Sequence, residues 1–66
     1  MRFDYYLLIV DPTREIKGEF ETLRDTQAAA LMFGEDTYYV LGYSKPCGYV
    51  IVMDTEDMKK FFEEDF

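Results

Sequence analysis

The sequence contains no histidine and no tryptophan, a single cysteine, two prolines and four glycines. Each shortage removes a class of chemistry. Without histidine there is no imidazole base, no Ser-His or Cys-His pair, and no access to the commonest metal ligand. A lone thiol, Cys47, cannot close an internal disulfide or build a multi-thiolate metal site. The scattered glycines do not form a phosphate-cradling loop. Basic residues are scarce too, 7 Lys and Arg against 14 Asp and Glu, for a net charge of −7. That balance argues against direct binding to nucleic acid, where cationic side chains must neutralise phosphates. No apolar run approaches the ~18 residues of a membrane span. The first residues, MRFDYYLLIVD, lack the apolar stretch of a signal peptide. These shortages lead us to expect a cytoplasmic protein with no cofactor, no metal and no membrane attachment.

What the chain does have is apolar and aromatic mass. Of 66 residues, 48% are hydrophobic and 18% aromatic, with six tyrosines and six phenylalanines. That is too much for a disordered segment, even at this charge. The length suits one small domain, which buries only about 60% of the surface its unfolded chain exposes. Large aromatic side chains, each burying roughly 150–250 Å², make a core attainable at this size.

Hydrophobic periodicity divides the chain into six elements. Residues 3–10 are aromatic and β-branched and read as a strand, followed by turn chemistry at Asp11-Pro12-Thr13-Arg14. Residues 15–20, EIKGEF, alternate as the second strand of a hairpin. Thr22 opens a helix running to about residue 33, with Asp25 in the position of a capping partner and Gly34 placed to end it in a left-handed conformation. Residues 37–44 and 49–53 read as a second hairpin around Lys45-Pro46-Cys47-Gly48. Asp54 or Thr55 then caps a last helix, whose Met58, Phe61, Phe62 and Phe66 form one apolar stripe. The expected fold is α+β: a ββαββα domain with a four-stranded antiparallel sheet and two helices.

The order suggests an internal repeat of two ββα units, residues 1–33 and 34–66. At an offset of 33, Tyr5, Tyr6, Leu8 and Thr22 meet Tyr38, Tyr39, Leu41 and Thr55. A ββα unit cannot bury its own apolar face, so two stacked together make physical sense.

The doubled tyrosines carry the functional reading. Neighbouring side chains on a strand point to opposite faces of the sheet, so strands one, three and four are apolar on both. Two helices on one side would leave the other as an exposed tyrosine-rich surface, which monomers rarely present. Three arrangements resolve this: helices on opposite faces, a sheet packed on its own copy, or a sheet that receives another protein. Tyr5, Tyr6, Tyr38, Tyr39 and Tyr43 are the aromatic candidates for a partner or oligomer surface, the sequence leaving open which of each pair faces outward.

The acidic candidates for partner binding are Glu35, Asp36, Asp54, Glu56, Asp57, Glu63, Glu64 and Asp65. None has the glycine-punctuated spacing of a calcium loop, and Glu56, Lys60 and Glu64 look like a solvated helix face with favourable pairs. The sequence nominates no catalytic residue. In general character, small size and strong acidity resemble phage-encoded proteins that disable host enzymes, although no motif carries that likeness. The expectation is a non-enzymatic acidic module binding another protein, a basic nucleic-acid-binding one in its sharpest form, where the carboxylates imitate phosphates. The alternative is a homodimer or other homo-oligomer that buries the tyrosine face.

Overall fold

The computed structural model describes residues 3–11, 13–34 and 37–65, and only the backbone of Asp65. Pro12, Glu35, Asp36 and Phe66, named above, lie outside the described residues, as does the side chain of Asp65. The six elements follow the expected order: β1 (Tyr5–Val10), β2 (Glu15–Phe20), α1 (Leu23–Phe33), β3 (Tyr38–Ser44), β4 (Gly48–Met53) and α2 (Thr55–Asp65). The four strands form one sheet in the order β2-β1-β3-β4, antiparallel throughout. The first strands of the two hairpins take the centre, and the second strands take the edges.

Both helices start on side-chain caps. Thr22 Oγ1 accepts from the Asp25 N–H at 3.1 Å, occupying one of the free donors at the start of α1. At α2 the cap is Asp54, whose Oδ1 accepts from the Asp57 N–H at 2.8 Å while Asp57 Oδ2 accepts from the Asp54 N–H at 3.2 Å. This reciprocal box uses Asp where Glu or Gln is usual. Gly34 ends α1 at φ 95°, ψ −161°, a region essentially restricted to glycine but distinct from the expected left-handed helical one.

The core lies on one side of the sheet. Leu8 and Val10 of β1 and Tyr38 and Val40 of β3 pack with Ala30 of α1 and Met58 of α2 in a single buried cluster. Phe20, Leu23, Phe61 and Phe62 close around it. Each of the larger side chains contributes about 1.5–3 kcal/mol by leaving water. Tyr38 is 2% exposed, and its hydroxyl donates to the Gly34 carbonyl at 3.3 Å. Because both helices contribute to one cluster, they cover the same face, and the arrangement with helices on opposite faces is ruled out.

The two units repeat, but not at the spacing of the doubled tyrosines. A bulge interrupts pairing between Leu8 and Ile9 in β1 and between Val40 and Leu41 in β3, 32 residues further on. The fully buried pairs Leu8 and Val40, and Thr26 and Met58, keep the same interval, as do the caps Thr22 and Asp54. An odd offset cannot relate two strands with the same face inward, since side chains alternate with a period of two. Offset 33 therefore matches letters and inverts faces, whereas offset 32 brings Tyr6 onto Tyr38.

Candidate interaction face

The face away from the helices carries three cross-strand rows. Tyr5 pairs with Tyr43, which pairs with Tyr49. Next, Glu19, Leu7, Leu41 and Ile51 stand side by side, and then Ile16, Ile9 and Tyr39. Among these ten described side chains only Glu19 is charged. No described element covers them: Ile16 and Ile51 are each 60% exposed and Tyr49 is 56% exposed. Ile9, on the same face, is 4% exposed. An antiparallel sheet with one wet face ordinarily alternates apolar and polar residues. This one does not.

The tyrosine row is built as a unit. Tyr5 and Tyr43 stack with ring centroids 5.0 Å apart and planes at 20°. Tyr49 tilts against Tyr43 at 5.0 Å and meets the edge of Tyr5 at 6.4 Å. The hydroxyls of Tyr5 and Tyr49 share a hydrogen bond of 2.9 Å. That bond, with desolvation and the nearby Tyr49, Glu19 and Tyr43, pushes the Tyr5 phenol up to about 12. Offset and edge-on contacts are the geometries aromatic rings prefer.

The structure divides the residues expected to bind a partner. Tyr5, Tyr39 and Tyr43 lie on the open face. Tyr6 and Tyr38 point the other way, Tyr38 into the core and Tyr6 against it, with Phe3 5.7 Å from the Tyr6 ring. Tyr6 and Tyr38 are therefore corrected from interaction residues to structural ones, because even-numbered positions of β1 and β3 face the helices. Of the carboxylates, Asp54 and Asp57 are engaged in capping α2. Glu56, Glu63 and Glu64 are exposed on α2, in the layer opposite the tyrosine rows. Glu35, Asp36 and the Asp65 side chain fall outside the described residues. The acidic and aromatic candidates thus do not converge on one site.

Tyr49, Leu7, Leu41, Ile51, Ile9, Ile16 and Glu19 were not nominated, yet they complete the face. A signal for Tyr49 existed: a short turn at residues 45–47 sets Tyr43 across from Tyr49, and the Tyr49-Val50-Ile51 alternation then extends the outer row.

Among the described residues no cluster of His, Cys, Asp or Glu could hold a metal ion, and no helix is long and apolar enough to cross a membrane. Cys47 is an exposed free thiol in the β3–β4 turn. A cleft of about 370 Å³ between α2 and the start of β3 sets Glu56, Lys59 and Glu63 around Met58 and Phe62. No family model matches the chain, and neither curated proteins nor solved structures provide a match.

Proposed function

We propose that the chain is a small acidic module that acts by binding, not catalysis, and that its working surface is the open face of the sheet. The observation that carries this reading is the uncovered face itself, with nine of ten described side chains apolar. Four strands about 4.8 Å apart and six residues of about 3.3 Å each span a footprint on the order of 400 Å² in projection. That is as large as the biggest patch on a typical monomer, and such patches are often functional. Tyrosine suits the role, pairing a rigid apolar ring with a hydroxyl that tolerates water.

The occupant we assign is another protein with an apolar centre and a basic rim. The centre answers the tyrosine and aliphatic rows. The rim answers a net charge of −7, which would draw such a surface in and repel acidic ones. A nucleic-acid-binding protein is one source of that chemistry. The cytoplasm is the fitting compartment, since an exposed thiol such as Cys47 stays reduced there.

The test uses tagged wild-type protein and Tyr39→Glu as baits in lysate from the source cells, with circular dichroism confirming that both fold. A protein held by wild type and lost by Tyr39→Glu supports the reading. If the variant retains everything that wild type does, the open face is not the working surface.

The exposed Glu56, Glu63 and Glu64 favour a second reading, in which the helix layer imitates phosphates and blocks a nucleic-acid groove. Its mark is capture that disappears with charge reversal at Glu63 and Glu64 and with added salt, while Tyr39→Glu leaves it intact.

A further inference from the structure

The two edges of the sheet differ in kind. An edge strand presents unpaired N–H and C=O groups, and proteins ordinarily guard it with charge, bulges or cover. The β2 edge is guarded twice. It carries Glu15, Lys17 and Glu19, and a bulge at Lys17 splits its six residues near the middle. The β4 edge, GYVIVM, has no charged residue. Its bulge sits near the end, at Val52, so pairing with β3 is regular from Gly48 to Ile51. Tyr49, Val50 and Ile51 are 56%, 40% and 60% exposed.

We propose that β4 is a pairing edge and that its occupant is β4 of a second copy, joined antiparallel to give a continuous eight-stranded sheet. This goes beyond the open-face reading and does not depend on it. The strand is its own complement. A two-fold axis normal to the sheet keeps both helix layers on one side and allows only pairings in which like faces meet. With Val50 on the axis, Tyr49 stands across from Ile51 of the other copy on the open face, an aromatic against a β-branched residue, which is a favourable cross-strand pair. The same register carries Asp54, just past one end of β4, toward the β3–β4 turn of the second copy, which holds Lys45. In a chain of net charge −7, this edge lets two copies meet without setting carboxylate against carboxylate. The pairing also lays two open faces side by side.

The experiment uses the intact chain. In a Cys47→Ser background, Val50→Cys places two thiols across the axis with Cα atoms about 4.5–5.5 Å apart, within reach of a disulfide. Lys17→Cys in the same background marks the guarded edge. Mild oxidation should convert most of the Val50→Cys protein to covalent dimer and little of the Lys17→Cys protein. In unsubstituted protein, amide hydrogen exchange within Tyr49–Ile51 should slow at least tenfold as concentration rises, with β2 amides unchanged. The proposal is overturned if Val50→Cys cross-links no faster than Lys17→Cys, or if β4 amides exchange at a rate independent of concentration. A dimer with freely exchanging β4 amides that Tyr39→Glu dissolves would mean face-to-face packing, which also overturns it and leaves the open-face reading standing.

Discussion

The two faces of this sheet are made from almost the same residue types and do opposite things. On one, Leu8 and Val40 are fully buried beneath both helices; on the other, the adjacent Leu7 and Leu41 stand beside Ile51 in contact with water. Composition does not separate them. What separates them is the side on which the connections return: each hairpin is followed by a helix, and both helices come back to the same layer. Hydrophobicity by itself therefore does not distinguish the core face from the open one; the covering layer does.

That contrast can be broken most sharply by paired truncations. Leu8→Ala should cost about 2–5 kcal/mol, the transfer loss plus a cavity under two helices. Leu7→Ala, one residue along, should cost no more than about 1 kcal/mol because its site is already open. Urea unfolding of the two variants measures the difference, and equal losses would mean that the second face is also sealed.

Gly42 sharpens the boundary of the covered side. It sits in β3 on the helix face, where a Cβ would come within 2.7 Å of both the Phe3 ring and Val52 Cγ2. Phe3 lies over this end of the sheet in place of a helix, and the missing side chain makes room. We expect Gly42→Ala to destabilise by about 1–3 kcal/mol through overpacking, with Phe3→Ala recovering part of the loss in the double variant.

The caps compare the two units directly. Asp54→Ala removes one arm of the reciprocal box and should lower stability by about 1 kcal/mol, with Thr22→Ala similar or smaller. Thermal unfolding of both variants reports which helix depends more on its first turn.

The smallest effect lies on the open face and is read by titration. Tyr5 ionises near 12 because its neutral hydroxyl shares a hydrogen bond with Tyr49. A raised phenol pKa favours the folded state fully below the unfolded value of about 10, and the benefit disappears as pH climbs through about 12. Absorbance at the phenolate band should show a step near 12, and Tyr49→Phe should bring that step down.

Much of the fold was legible because its signals are local. Thr22 and Gly34 marked the ends of α1, the Met58, Phe61 and Phe62 stripe marked α2, and turn residues separated the strands. The face of each tyrosine was not legible, because it depends on register. One residue of offset decides whether Tyr5 or Tyr6 meets the helices, and the doubled tyrosines repeat at an odd interval that points to the wrong answer for one of the two pairs. Thr55 competed with Asp54 for the cap because both residue types suit that position, and the hydrogen bonds select Asp54. The acidic residues were conspicuous as letters, but placing them opposite the tyrosines required the three-dimensional layering.

The touching row of Tyr5, Tyr43 and Tyr49 has an optical consequence. With no tryptophan in the chain, emission excited in the tyrosine band comes from tyrosine, and half of the six tyrosines sit within one ring contact of each other on the open face. A tryptophan-bearing protein that settles there becomes the energy acceptor for that row. The sheet thus carries its own reporter, and docking can be followed as lost tyrosine emission with no dye attached.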